Sequence, residues 1–129
     1  PLNLIIMRLT VKQLTAVLKA GLIVTNADGE TKKEEMEIVV RELVSFGINQ
    51  EQGSQLYDAA VAMSTEDMVD QLKGLSNDDK KYISGYLIAI SVADGDVADN
   101  EAKAWAAICN LCEFPNVSVE DAYNYWKNN

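Results

Sequence analysis

Residues 27 to 35 read Ala-Asp-Gly-Glu-Thr-Lys-Lys-Glu-Glu, and residues 93 to 101 read Ala-Asp-Gly-Asp-Val-Ala-Asp-Asn-Glu. The second stretch repeats the first at an offset of 66 residues (from Asp28 to Asp94), and the same offset places Glu35 on Glu101. Flanking residues obey it too, pairing Leu22 with Ile88, Val24 with Ile90, Leu43 with Cys109 and Ile48 with Phe114. A repeat at a fixed interval indicates a duplicated structural unit. We therefore predict two copies of one helix–acidic turn–helix unit.

Apolar residues recur at helical spacing throughout the chain, and no stretch alternates long enough to predict a strand. Helix starts are predicted by capping patterns at Thr10, Thr31, Asn49 and Ser118, and Gly47 is a natural helix stop. The predicted fold is all-α, with about seven helices in a single domain spanning residues 1–129. The first repeat covers about 10–62, a connecting helix about 64–74, and the second repeat about 76–127.

The helices that follow the two acidic turns are each predicted to bury an apolar face. In the first repeat this face contains Met36, Val39, Val40, Leu43 and Val44. In the second repeat it contains Ala102, Trp105, Ala106, Cys109 and Cys112. We interpret the methionines and tryptophans as residues of the core and its rim rather than as a partner groove or a base-stacking surface.

Composition excludes several classes of function. The net charge is −9, and an acidic surface repels phosphate backbones, so a nucleic-acid partner is not expected. The chain has no histidine, which excludes Ser-His or Cys-His catalysis within it. The apolar stretch 2–7 precedes Arg8 rather than following it, which does not fit a signal peptide, and no apolar run is long enough to cross a bilayer. We expect a cytoplasmic protein without a transmembrane segment.

The acidic turns carry the main candidate site. Asp28 and Asp94 each continue the buried stripe of the preceding helix, while Glu35 and Glu101 lie in the first turn of the next helix and could face back across the turn. A buried carboxylate needs hydrogen-bond donors or a cation. Ligation by oxygen alone fits Ca²⁺ or Mg²⁺ rather than zinc or copper.

Two alternatives to this cation site stay open at the level of the sequence. The spacing resembles the second half of an EF-hand loop, but Ile90 and Val92 stand where that loop needs acidic ligands, so a standard EF-hand is excluded. Asp-Gly is also a common turn pair and Glu a common capping residue, so the motif alone favours a purely structural joint. Cys109 and Cys112 lie within a helix and are interpreted as small core residues rather than as a redox or zinc site.

The turns Asn26-Ala-Asp-Gly29 and Val92-Ala-Asp-Gly-Asp-Val-Ala-Asp-Asn-Glu101 resemble the signature turns of the TerB-like tellurite-resistance family, and are similar to the N-terminal domain of a DnaJ-type co-chaperone. The resemblance covers about residues 10–126. It implies an internally duplicated helical bundle without established catalysis, acting in stress-related complexes, some of them linked to membranes. Carried over by position, it implies divalent-cation ligands at Asp28, Glu35, Asp94, Asp96 and Glu101.

The sequence therefore supports three functional hypotheses. The first is a non-enzymatic TerB-like module with a weak Ca²⁺ or Mg²⁺ site at the acidic turns, acting in a stress-related protein complex. The second is a protein-interaction domain without a metal, whose partner the sequence does not identify. The third is a carboxylate-based hydrolase, which requires a cleft lined by both acidic turns.

Overall fold

The computed structural model describes residues 9–27, 29, 33–93 and 99–129. Within these ranges the chain forms seven helices and no strand, which confirms the all-α fold class. The helices are α1 Val11–Thr25, α2 Lys33–Ser45, α3 Gln50–Ala62, α4 Thr65–Lys73, α5 Asn77–Val92, α6 Asp99–Leu111 and α7 Val119–Asn128. No helix in the described ranges is long and apolar enough to cross a membrane.

The helix bounds follow the offset of 66 residues. α2 and α6 coincide end to end under this offset, and α5 begins 66 residues after α1. The two equivalent helix ends also share their hydrogen bonds: the Ile48 amide donates to the Leu43 carbonyl at 3.1 Å, and the Phe114 amide donates to the Cys109 carbonyl at 2.9 Å. Gly47 and its equivalent Glu113 both have positive φ, of 77° and 57°. Both helices therefore end in the same Schellman-type turn.

Side-chain caps fix most of the helix starts. Thr10 with Gln13, and Asn49 with Gln52, form reciprocal capping boxes at α1 and α3. Serine side chains accept from the third helical amide at α4, α5 and α7. Pro115 holds the position equivalent to Asn49, and the α7 cap moves to Ser118. The capping box predicted at Thr31 lies outside the described residues.

The first helices of the two units, α1 and α5, form the centre of the molecule and pack against each other. They meet closely at Gly21, where an added Cβ would lie 3.0 Å from the Tyr86 hydroxyl oxygen. α1 also packs on α3 and α4, while α5 packs on α7. Each central helix further contacts the second helix of the other unit, α1 with α6 and α5 with α2. The two units are thus interlocked around one shared core.

The predicted inward faces of α2 and α6 are wrong in part. Val40 and Val44 are 52% and 64% exposed, and Ala106 is exposed as well. The buried residues of these two helices are Glu35, Val39, Glu42, Glu101 and Ile108. Each helix contacts the core along a narrow stripe with helical spacing, so apolar residues beside that stripe remain in solvent. The connecting helix α4 fits its prediction, because Met68 and Leu72 are fully buried.

Candidate functional site

The buried stripe of each second helix begins with a glutamate. Glu35 in α2 and Glu101 in α6 occupy equivalent positions, and both side chains are completely buried. The sequence pattern had placed both in a first helical turn facing back across the acidic turn. Glutamate is almost never fully buried unless it is paired or binds a cation. The two burials therefore distinguish these positions from an ordinary exposed capping residue.

The Glu101 carboxylate is also unusual in its hydrogen bonding. Neither of its carboxylate oxygens has a hydrogen-bond partner among the residues that the structure describes. Buried polar atoms are nearly always hydrogen-bonded, and those that are not need an explanation such as an ion or a water molecule. Glu101 therefore presents two acceptor oxygens, shielded from solvent, at the start of α6.

The aspartates of the candidate site, Asp28, Asp94 and Asp96, lie outside the described residues. Gly29, beside the first of them, has φ of 82°, which is the left-handed conformation expected of the glycine in this turn. Among the described residues there is no group of three or more His, Cys, Asp or Glu side chains that could hold a metal ion. The described part of each corner thus supplies one buried carboxylate, and the predicted ligands at 28, 94 and 96 stay predictions.

The donor chemistry at Glu101 fits a hard cation. Carboxylate oxygens are the ligands that Ca²⁺ and Mg²⁺ prefer, and the first turn of α6 adds Asp99 close by in sequence. A divalent cation would satisfy both Glu101 oxygens at once and would neutralise the buried charge. Residues 94–98, which precede α6 directly, contain two further carboxylates that could complete such a site.

A second buried glutamate lies elsewhere in the core and was missed by the sequence analysis. Glu42 of α2 is 7% exposed and accepts a short hydrogen bond from the Tyr82 hydroxyl of α5. The indole of Trp126 from α7 lies beside this pair. The equivalent positions in the other unit hold Ala16 and Ile108. The equivalent positions of the other unit are therefore apolar, and the buried pair of Glu42 and Tyr82 occurs in one half of the molecule.

The electrostatics of this pair follow from its burial. Burial raises the pKa of Glu42, and the hydrogen bond from Tyr82 opposes part of that rise. The Trp126 indole also lowers the pKa of Glu42 slightly, although its Nε1 is not in regular hydrogen-bonding geometry. Burial, and then the charge of Glu42, raise the pKa of Tyr82 and of Tyr86, so both tyrosines stay protonated donors at neutral pH.

Replacing Glu42 by glutamine is expected to remove a loss of stability that Glu42 causes as pH rises, so that the slope of the unfolding free energy against pH becomes more positive. The native state binds the Glu42 proton more tightly than the unfolded chain, because burial raises this pKa above its ordinary value of 4.5. The contribution of Glu42 to stability is thus fully present below that value and is lost as pH rises through the native pKa. Urea unfolding followed by circular dichroism between acidic and neutral pH measures the slope for the wild type and for Glu42→Gln.

The matched control for this experiment is Glu37→Gln, which changes an exposed glutamate on the same helix. The Glu37→Gln variant should keep the slope of the wild type. If Glu42→Gln also keeps that slope, or makes it more negative, Glu42 does not carry a raised pKa in the folded chain.

The two cysteines agree with their interpretation as core residues. Cys112 is completely buried and Cys109 partly so, and both are free thiols. Burial raises the pKa of Cys112 to about 11 and raises the pKa of Cys109 as well. Thiols with raised pKa values are mostly protonated at neutral pH and react slowly. This pair therefore has the properties of packing residues rather than those of a redox motif.

The fold of this chain is similar to the crystal structure of PG1108, a protein of unknown function from Porphyromonas gingivalis. PG1108 is 34% identical in sequence, with a TM-score of 0.80 over 93% of this chain and 91% of that chain. No protein-family model matches the sequence. No curated protein matches it significantly either. The resemblance to the TerB-like family stays a prediction.

Proposed function

Because this chain belongs to the same protein family as PG1108, whose function is unknown, we propose its function from the site itself: a non-enzymatic helical module that binds Ca²⁺ or Mg²⁺ at its acidic turns. The second turn is the stronger of the two sites. The observation that carries this proposal is the complete burial of Glu101 with neither carboxylate oxygen hydrogen-bonded within the described part of the chain. A cation supplies the positive partner that such a carboxylate requires.

The duplicated architecture supports the same proposal. The motif brings a glutamate to an equivalent, fully buried position in both units. A surface capping residue would have no need of burial in either. The first turn carries Lys32 and Lys33 next to its acidic residues, and this added positive charge lowers its affinity for a cation relative to the second turn.

Calorimetric titration with CaCl₂ and with MgCl₂ tests the cation site. We expect saturable binding with a dissociation constant of about 10⁻⁴ to 10⁻³ M, the weak end of the range for calcium sites in proteins. Glu101→Gln should weaken binding at least about tenfold, because a neutral amide replaces a charged ligand. Glu35→Gln should have a smaller effect on the total heat.

Glu66→Gln is the matched control for the titration, because Glu66 also lies in the first turn of a helix but is exposed to solvent. It should bind cations as the wild type does. Absence of saturable heat in the wild type up to about 10 mM of either salt would remove the cation site and leave the acidic turns as structural joints.

A protein-interaction domain is the second candidate function, and a different observation favours it. α2 exposes two large apolar side chains, Val40 and Val44, in a chain whose net charge is −9. Contiguous exposed apolar surface on a soluble chain marks interaction sites. The two functions are compatible, since the exposed valines and Glu101 lie on different helices. The stress-related complex, the cytoplasmic location and the carboxylate-based hydrolase stay predictions from the sequence.

A further inference from the structure

The exposed valines of α2 belong to an apolar groove. The groove runs between α2 and α3 with α1 at its floor and has a volume of about 420 Å³. Its principal lining residues are Leu18, Met36, Val40, Val44 and Tyr57. We refer to it as the first groove. Tyr57 is itself 47% exposed, so solvent reaches apolar side chains on both walls.

The second unit has a groove at the equivalent place, with a similar volume of about 440 Å³. Seven of its lining residues correspond to first-groove residues at the offset of 66: Trp105 to Val39, Ala106 to Val40, Cys109 to Leu43, Asn110 to Val44, Phe114 to Ile48, Pro115 to Asn49 and Asn116 to Gln50. The duplication therefore produced two grooves. In the second groove alanine and asparagine, Ala106 and Asn110, stand in place of the exposed valines Val40 and Val44 of the first.

The two grooves differ at the position that Trp105 holds in the second unit and Val39 in the first. In the second unit the Trp105 indole reaches the central helix α5, where its Nε1 donates to the Ser84 carbonyl at 3.1 Å. Ser84 is equivalent to Leu18, which lines the first groove. In the first unit Val39 stands at the position of Trp105 and is too short to reach across. The first groove is therefore lined by a buried valine at the position where the second is lined by an indole.

We propose that the first groove binds an aromatic side chain presented by a basic segment of another protein. The groove's volume of about 420 Å³ and its exposed apolar side chains, Val40, Val44 and Tyr57, fit a single aromatic ring. Aromatic side chains bury large apolar areas at little loss of conformational entropy, which is why they anchor protein interfaces. The proposal specifies the partner of the interaction function above and does not depend on the cation.

The surrounding charge sets the chemistry of the partner. The exposed charged residues of α2 and α3 are four acids and two bases, namely Glu34, Glu37, Glu51 and Asp58 against Lys33 and Arg41. The whole chain carries −9. A second copy of the same chain would bring an equally acidic surface to the groove, whereas a segment with lysine or arginine beside its aromatic residue is attracted to it.

A random 12-residue peptide library displayed on phage is the probe for this proposal. Selection on the immobilised chain should enrich peptides that contain Trp, Phe or Tyr together with Lys or Arg. The best peptide, synthesised with a fluorescent label, is then titrated by fluorescence anisotropy in EDTA and again in calcium. Affinity should be the same in both, and it should fall several-fold between about 50 mM and about 500 mM NaCl because of screening.

The decisive variant is Val40→Ala/Val44→Asn, which gives the first groove the residues that the second unit already tolerates at Ala106 and Asn110. We expect at least tenfold weaker peptide binding with an unchanged circular dichroism spectrum. Val119→Glu is the control: this valine is 46% exposed at the start of α7 and lies outside the groove. It should bind the peptide within twofold of the wild type.

Three results would overturn the proposal. Enriched peptides that lack aromatic residues, or that carry acidic flanks, would contradict the chemistry of the partner. Binding unchanged in Val40→Ala/Val44→Asn would place the peptide elsewhere. Sedimentation velocity that shows a dimer dissociated by the same variant would make a second copy of the chain the occupant. None of these results bears on calcium binding by Glu101, so the two proposals fail separately.

Discussion

Gly85→Ala is expected to destabilise the chain by about 3 kcal/mol or more, or to prevent folding. Gly85 lies on α5 where α7 crosses it, and an alanine Cβ there would stand 2.1 Å from the Ala122 carbonyl oxygen. The same Cβ would stand 2.5 Å from the Trp126 Cβ. Backbone atoms cannot yield as a flexible side chain can, so α7 must move away from α5. Domains of this size are stable by only about 5–15 kcal/mol, so the loss is a large fraction of the total.

Urea unfolding monitored by circular dichroism measures this loss, and Gly53→Ala provides the matched control. Gly53 lies inside α3, and the nearest atom to an added Cβ is 3.8 Å away, on the end of the Ile48 side chain. Alanine is the better helix former there, so this variant should gain about 0.5–1 kcal/mol. Replacement by alanine is thus expected to lower stability at Gly85 and to raise it at Gly53. A loss below about 1 kcal/mol for Gly85→Ala would mean that α7 does not pack on α5 this closely.

A shift of α7 should also disturb the buried pair of Glu42 and Tyr82. Trp126, on the displaced helix, covers that pair. In a partly folded Gly85→Ala variant the carboxylate would therefore become more exposed, and burial would raise its pKa less. The pH dependence attributed above to Glu42 should weaken in this variant even though residue 42 is unchanged.

The repeat and the helix ends were predictable from the sequence because both depend on local signals. Asn49 and Gln52 form a capping box by themselves, and Gly47 allows the positive φ that ends α2. The offset of 66 relates the bounds of the second helices of the two units, although Pro115 replaces Asn49 and Glu113 replaces Gly47. It also aligned Glu35 with Glu101, and the structure buries both side chains completely.

The burial of Glu42 and the exposure of Val40 and Val44 were not predictable in the same way. A prediction from hydrophobic periodicity places glutamates on the surface and valines in the core. Which stripe of α2 contacts the core depends on how α5 crosses it, and that crossing joins residues 40 positions apart, as in Glu42 and Tyr82. A signal was nevertheless available, since α2 carries more apolar residues than one helical face can bury.

Glu101→Leu is expected to raise stability in the presence of EDTA and to lose part of that advantage in calcium. Without a cation, the wild type buries a carboxylate whose oxygens lack hydrogen bonds within the described residues, whereas leucine fills similar space without a polar atom. Replacing even paired buried charges by apolar residues of similar volume is often neutral or stabilises the protein by about 1–4 kcal/mol. At a calcium concentration ten times the dissociation constant, the wild type gains about 1.4 kcal/mol from binding and the variant gains nothing.

Thermal or urea unfolding of both chains, each in EDTA and in calcium, gives the four free energies that this prediction needs. Glu66→Leu, at an exposed first-turn position, should respond to calcium as the wild type does. The difference in the free energy of unfolding between Glu101→Leu and the wild type is calculated in EDTA and again in calcium. The change between these two differences tests the prediction. If Glu101→Leu destabilises the chain even in EDTA, protein groups already satisfy the carboxylate. In that case hydrogen bonds from the protein stabilise the buried Glu101 carboxylate, and the acidic turn is a structural joint that does not require a cation.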